Sequence, residues 1–239
     1  MATGPRLHII VPALDEEAAL PLVLPELLDC LAADPSIGAY EVLVVDNGSR
    51  DRTAAVAAAA GARVVREPRR GYGAACLAGL AALKRGDADD VVAFFDADGS
   101  HDPAELPNLL APIRAGAAEL VLGSRSLGSA EVGALAPHAA FGNALAVRLI
   151  AWATGHRYTD LGPFRAIELA ALERLGMQDR DFGWNIEMQV RAARAGLATC
   201  EVPVRWRRRR AGQSKISGRI WPSARAGAKI LWTVMKHAA

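Results

Sequence analysis

Cysteine is scarce in this 239-residue chain: Cys30, Cys76 and Cys200 lie far apart and form no Cys-x-x-Cys pair. That spacing excludes a disulfide framework and a structural zinc site, and fits a reducing cytoplasm. Aromatic residues make up only 5% of the chain, so its alanine-rich helices are expected to pack through small side chains. No stretch reaches the roughly 18 apolar residues of a membrane-spanning helix, and Met1 to Arg6 is too short and too polar for a signal peptide. Neither Gly-x-Gly-x-x-Gly nor a Walker A loop occurs, which speaks against a dinucleotide fold and an ATPase. Acidic residues are missing altogether after Glu201.

That last absence makes the charge lopsided. Ten basic residues follow Glu201, from Arg205 to Lys236, leaving 18 basic against 26 acidic residues ahead of them, a balance of −8. A basic tail on an acidic body points to a phosphate-bearing partner, with a solvated basic face as the plain alternative. Length and 51% hydrophobic content suit one large α/β domain.

Short apolar runs alternate with helix-like stretches through the front half. Leu7–Val11, Glu41–Val45, Arg63–Arg66, Val91–Phe95 and Leu120–Leu122 read as strands. Helices are expected near 16–31, 53–60, 74–83 and 103–115. Fully apolar strands separated by helices predict a mostly parallel central sheet covered on both faces. Ligands of such sheets sit beyond the carboxyl ends of the strands, which selects 12–17, 46–51 and 96–102, all rich in carboxylates. Further on, 141–154, 168–175 and 185–195 look helical and 199–204 strand-like. Residues 205–217 read as a basic loop, and 220–236 as an amphipathic helix.

Asp96-Ala97-Asp98 follows a buried strand directly. Two carboxylates one residue apart at a strand end can share one hard cation, Mg²⁺ or Mn²⁺, whose shell substrate phosphate and water complete. Asp46-Asn47-Gly48-Ser49 also follows a strand; it reads as a turn with a helix cap, with Asp46 facing the ligand crevice. Gly71-Tyr72-Gly73 opens a helix, where glycine permits close backbone approach and a helix N-terminus favours anions. The run Arg207 to Arg210 can clamp phosphate oxygens. Nucleic acid is the poorer match, because Trp206 alone offers a stacking surface beside the run.

Together these motifs resemble family 2 glycosyltransferases, and among them the polyprenol-phosphate mannosyl- and glucosyltransferases, from about Leu7 to Lys215. Pro12-Ala13-Leu14-Asp15-Glu16 stands for the family's Pro-x-Tyr-Asn-Glu, and Val45-Asp46-Asn47-Gly48-Ser49-Arg50-Asp51 for its Val-Asp-Asp-Gly-Ser-x-Asp. Asp96-Ala97-Asp98 matches intact, as do Gly123-Ser124-Arg125 and Arg209-x-x-Gly212-x-Ser214-Lys215. Thr159 to Arg165 is similar to the segment that shapes the acceptor side.

The resemblance implies a GT-A nucleotide-diphospho-sugar transferase fold. Residues 1–218 would form one catalytic domain, with 1–125 as the donor half and 126–218 as the acceptor half, followed by a basic amphipathic helix at 219–239. Pro12, Leu14, Glu16, Val45, Asp46, Asn47 and Gly71 would cradle the UDP- or GDP-sugar with Ala97, while Asp96, Asp98 and Ser100 sit at the metal. Arg125 would serve a donor or acceptor phosphate, and Arg209 and Lys215 would close over the diphosphate. The expected reaction is an inverting transfer to a polyprenyl-phosphate-type acceptor. Transfer to a hydroxyl would instead need a base, for which Glu187 is the candidate; it reads equally as a helix carboxylate paired with Arg191 four residues on. The tail is expected either to lie on an anionic bilayer, peripheral to the inner face of the membrane, or to dock on the domain. Two rivals stand beside this reading. A nucleotidyltransferase would carry a glycine-rich basic loop where Pro12 to Glu17 is acidic, and a non-catalytic binding module would not need an intact Asp96-x-Asp98.

Overall fold

The computed structural model describes residues 5–84, 89–134, 137–212, 232 and 236. Seven strands form one sheet in the order β3-β2-β1-β4-β6-β5-β7. They are β1 (Leu7–Ala13), β2 (Tyr40–Asp46), β3 (Arg63–Arg66), β4 (Val91–Phe94), β5 (Leu120–Ala130), β6 (Arg165–Glu168) and β7 (Thr199–Trp206). Among the described residues the named helices are α1 (Leu20–Ala33), α2 (Thr53–Ala59), α3 (Tyr72–Ala81), α4 (Leu106–Arg114), α5 (Pro137–Thr154), α6 (Leu169–Leu175) and α7 (Trp184–Arg194), with a 3₁₀ turn at Pro103–Glu105 before α4.

Every neighbouring pair is parallel except the two that β6 makes, with β4 and with β5. One reversed strand therefore sits in an otherwise parallel sheet. Alternate residues of the same strands feed opposite layers. Ile9, Val11 and Val44 pack under α1 and α4, while Ile10, Leu43 and Val45 pack under α3 and the α6–α7 pair. This double burial explains the apolar strands.

The reversed strand decides what meets at the ligand edge. Phe94, the last residue of β4, lies opposite Arg165, the first residue of β6, and Leu122 of β5 faces Arg165 from the other side. The segment leading into β6 thus arrives beside the carboxyl ends of β1, β2, β4 and β5. Four residues with a charge at each end carry too little pattern to read as a strand, and the expected helix at 168–175 begins only after β6.

Three other expectations need correction. Helix α1 starts at Leu20 rather than near Glu16, because the Glu16 and Glu17 amides donate across to Thr53 Oγ1 and Asp51 Oδ2, at 2.8 and 3.1 Å, instead of entering a helix. Strand β5 runs on to Ala130 through an irregularity between Ser124 and Ser129, pairing with β7 out to Trp206, so the basic loop begins two residues later than expected. Helix α5 begins at Pro137, four residues before the expected 141. Apart from Trp232 and Lys236, the expected tail helix lies outside the described residues, as do the 218 boundary, Ser214 and Lys215.

Candidate active site

Two loops build the floor of the crevice by stitching to each other. Asp15 N–H donates to Ser49 Oγ, and Asp15 Oδ1 accepts from Arg50 N–H, at 3.0 and 2.7 Å. Glu17 Oε2 accepts from Arg52 N–H at 2.9 Å. Asp15 has φ +52°, a left-handed conformation that Asn and Asp tolerate best among residues with a side chain. A carboxylate in place of the family's asparagine keeps both the conformation and the acceptor. Pro12 and Leu14 are half-buried along this loop.

The second strand end is more structural than expected. Asn47 is 4% exposed and its amide is spent: Nδ2 donates to the Glu67 and Arg69 carbonyls, and Oδ1 accepts from Gly71 N–H. Asp46 Oδ1 accepts from Ser49 N–H at 3.0 Å, closing the turn. The Val45 and Ala97 side chains are packed into the two core layers, so of these residues only the backbone is available to the crevice.

Gly71 is not an anion site. The Gly73 and Ala74 amides at the start of α3 donate to the carbonyls of Asp181 and Arg180, at 3.1 and 2.8 Å. The glycines admit that loop: a Cβ on Gly71 (φ +145°) would lie 2.1 Å from Arg180 O, and one on Gly73 2.0 Å from Asp179 O. Both obstacles are backbone and cannot swing away. Gly73→Ala is expected to cost about 2–3 kcal/mol in urea unfolding. A change under about 0.5 kcal/mol would show that the 179–181 loop gives way instead.

At the end of β4 the carboxylates concentrate. Asp96 Oδ1 lies 3.4 Å from the Tyr72 hydroxyl, and Oδ2 lies 3.6 Å from His101 Nε2. Burial, then the neighbouring Asp98 charge, pushes the Asp96 carboxyl up to about 7; Tyr72, Arg209 and Arg125 pull the other way. Asp98 Oδ1 accepts from Ser100 N–H at 2.9 Å, and Oδ2 pairs with Arg209 Nη2 at 3.2 Å. Ser100 is 3% exposed, and its hydroxyl meets no hydrogen-bond partner among the described residues. Two close carboxylates, one strained by its own charge, beside an unused buried hydroxyl fit a hard divalent cation. No cluster of three or more His, Cys, Asp or Glu able to hold a metal occurs among the described residues, so substrate oxygens and water would complete its shell.

His101 is the functional candidate that sequence reasoning missed. Its ring stacks on Phe164 and meets Phe95 and Trp206 edge-on, with centroids 4.6 to 5.1 Å apart. Burial pushes it down to about 3, so the ring is neutral. Because Nδ1 accepts the Asp96 amide at 3.1 Å, the proton sits on Nε2, facing the Asp96 carboxylate. The ring thus holds the backbone of Asp96, with its Nε2 3.6 Å from the carboxylate and without a hydrogen bond among the described residues. A histidine five residues past a strand-end aspartate was the available signal.

The arginine run is divided rather than pooled. Arg207 pairs with Glu26 and Asp102, and Arg210 with Glu26, fastening the run to α1 and to the 3₁₀ turn. The Arg207 and Arg210 amides donate to the Ser100 and Asp98 carbonyls, laying the run along the Asp98 loop. Arg209 alone reaches the carboxylates, bridging Glu16 (2.9 Å) and Asp98 (3.2 Å). Its guanidinium stands as a cation between them.

Arg125 is presented by a clamp from the segment that leads into β6. Asp160, 1% exposed, takes Arg125 Nε at 2.8 Å and Nη2 at 2.6 Å in a bidentate fork, plus the Arg125 amide at 2.7 Å. Trp206 lies under the guanidinium, 4.9 Å to the ring centroid. Gln189 and Glu201 hold the Asp160 backbone in turn. The fork uses Nε and one Nη2 hydrogen, leaving the outer guanidinium edge to face an anion. Arg165 is wholly buried behind the site; its Nη2 donates to Gly162 O and its Nη1 to Asn185 O, and burial lowers it to about 10.

Glu187 falls on the structural side of its two readings. It is fully buried, its oxygens accept from the Gln178 and Asp179 amides, and Arg191 Nε lies 2.9 Å away. The carboxylate ties α7 to the loop ahead of it.

Residues 8–176 match the family model for glycosyl transferase family 2. The chain belongs to that family. An uncharacterized glycosyltransferase of Mycobacterium tuberculosis is 40% identical over 221 residues, 91% of this chain and 92% of that protein. An undecaprenyl-phosphate mannosyltransferase of Micrococcus luteus is 34% identical over 235 residues, 90% of this chain and 89% of that one. Among solved structures, glucosyl-3-phosphoglycerate synthase of M. tuberculosis, in complex with Mn²⁺, UDP-glucose and phosphoglyceric acid, is 25% identical with a TM-score of 0.73, covering 98% of this chain and 80% of that one. The family 2 glycosyltransferase described here is therefore an enzyme with the GT-A fold, as its motifs predicted.

Proposed function

We propose that this glycosyltransferase moves a hexose from a UDP- or GDP-sugar to the phosphate of a polyprenyl-phosphate-type acceptor, with inversion. The observation that carries this reading is the Arg125–Asp160 fork. It places a guanidinium of fixed orientation next to the Asp96–Asp98 pair, close enough for its charge to lower the Asp96 carboxyl. The Micrococcus luteus relative, named for undecaprenyl phosphate and mannose, supports the same acceptor class. Residues 1–125 make up most of the donor half and 126–218 most of the acceptor half, with Arg125 at the boundary turned to the acceptor and Arg209 and Lys215 returning to the donor.

An acceptor phosphate oxygen attacks the anomeric carbon. The carbon–oxygen bond to the diphosphate breaks, and its electron pair leaves on the nucleoside diphosphate. A phosphate is already ionised near neutral pH, so no general base is required, in keeping with the spent carboxylate of Glu187. Arg125 orients the attacking phosphate. Arg209, now bridging Glu16 and Asp98, is positioned to shift onto the diphosphate, and Lys215 is assigned the same task. A Mg²⁺ or Mn²⁺ ion held by Asp96 and Asp98, with Ser100 beside them, would neutralise charge on the leaving group.

A small phosphorylated acceptor is the second reading, favoured by the structural likeness to glucosyl-3-phosphoglycerate synthase with bound phosphoglyceric acid. A panel of UDP- and GDP-sugars, assayed with Mn²⁺, Mg²⁺ or EDTA, tests both. Polyprenyl phosphate, the matching polyprenol and phosphoglyceric acid serve as acceptors. Metal-dependent transfer to polyprenyl phosphate and none to the polyprenol is expected. Transfer to phosphoglyceric acid alone supports the second reading, and equal use of the polyprenol would remove Arg125 from acceptor recognition.

A further inference from the structure

Helix α5 turns an apolar ridge outward. Phe141 is 72% exposed, Trp152 82% and Leu145 41%. With Arg148 they occupy positions i, i+4, i+7 and i+11, a single stripe along the helix. Ala146 and Ile150, both fully buried, and the partly buried Ala153 fill the opposite side against the α7 layer. The helix is thus seated on the core by one face and carries a second apolar face that stands exposed among the described residues. Single exposed hydrophobics are ordinary; two large aromatics and a leucine in register are not.

The charge around this face identifies its occupant. No Asp or Glu occurs between Glu131 and Asp160, in a chain with 26 acidic residues, while Arg148 and Arg157 fall within that span. Aromatic and aliphatic side chains beside arginine, in a stretch of chain without an acidic residue, suit the headgroup boundary of an anionic bilayer, where Trp sits at the interface and Arg snorkels to phosphate. The basic tail is a poorer occupant: it has no acidic residue to offer Arg148, and its Lys236 lines a cleft with Arg174, Arg191 and Arg194.

We propose that the Phe141–Leu145–Trp152 face of α5 docks on an anionic lipid bilayer. The face is joined directly to the acceptor side. Asn143, two residues past Phe141, accepts the Leu161 amide through Oδ1 at 2.9 Å, and the adjacent Asp160 holds Arg125. A bilayer under α5 therefore brings lipid phosphates to the side of the domain from which Arg125 is presented. That catalytic meaning rests on the lipid-phosphate reading; the surface itself does not.

The test is co-sedimentation of the full chain with vesicles of phosphatidylcholine containing about 30% phosphatidylglycerol, against vesicles of phosphatidylcholine alone. The wild type should pellet with the anionic vesicles. The triple variant Phe141→Ser, Leu145→Ser, Trp152→Ser should lose at least about ten-fold in partitioning while keeping its melting temperature and donor binding, since all three side chains are exposed. Trp152→Phe should still pellet but lose much of the fluorescence quenching by brominated lipid. Equal pelleting of the triple variant would overturn the proposal in favour of the tail. A wild type that ignores vesicles but self-associates, with the variant monomeric, would assign the face to a second copy instead. Vesicle binding without transfer to polyprenyl phosphate would sink the acceptor reading and leave the surface standing; transfer without vesicle binding would do the reverse.

Discussion

Replacing Asp98 with alanine is expected to abolish transfer while the sheet stays folded, and Asp96→Asn should do the same by a different route. Both carboxylates sit just past the carboxyl end of β4, where the proposed reaction requires a diphosphate leaving group to be neutralised. Several kcal/mol of such stabilisation corresponds to a loss on the order of 10³-fold in kcat. Steady-state transfer at saturating Mn²⁺ measures it, and activity within about ten-fold of wild type in either variant would remove the metal role from this pair.

Asp96→Asn carries a second, opposite signature in metal-free protein. The Asp96 carboxyl lies at about 7, above its ordinary 3.8. The folded state therefore keeps a proton that the unfolded chain releases as pH rises from about 4. Stability falls through that window, and the whole penalty stands above pH 7. The asparagine removes it. With EDTA at pH 8 the variant should be more stable than wild type by on the order of 1–2 kcal/mol, a figure discounted because the side chain is still 24% exposed. At pH 4 the two should melt together. Adding Mn²⁺ should restore the wild type and leave the variant unmoved. A variant less stable than wild type at both pH values would mean that the Tyr72 and His101 contacts, rather than charge repulsion, dominate at Asp96.

What could be read before folding was local: a buried strand followed at once by its carboxylates. Asp96 and Asp98 needed no tertiary information, and the Asp46–Asp51 turn needed only its turn chemistry. Residues that act through distant partners were legible in identity but not in arrangement. Arg125 stood out by its motif, yet its orientation depends on Asp160, 35 positions later, which reaches it only because β6 runs against the rest of the sheet. The arginine run illustrates the same limit. Its charge was plain, but which arginine faces the site was decided by Glu26 and Asp102, which take Arg207 and Arg210 away. Gly71 was misread because a helix start looks like an anion site until another loop claims its amides.

Glu187 is the residue for which the two readings predict the most different outcomes. A catalytic base would leave a stable, inactive protein when truncated. The structure predicts the reverse. Removing the carboxylate strands the Gln178 and Asp179 amides and leaves the Arg191 guanidinium, 25% exposed, without its ion-pair partner. Breaking a buried pair from one side costs about 3–5 kcal/mol, so Glu187→Ala should melt well below wild type. The same loop supplies the Arg180 and Asp181 carbonyls that take the α3 amides, so loosening it should reach the Tyr72 end of the site as well. Glu187→Gln keeps an acceptor for the amides and should recover part of the loss. Below its own melting transition, the folded alanine variant should retain transfer to polyprenyl phosphate within about ten-fold. Near-native stability with transfer lost beyond about 10³-fold would restore Glu187 as the base and move the acceptor from a phosphate to a hydroxyl.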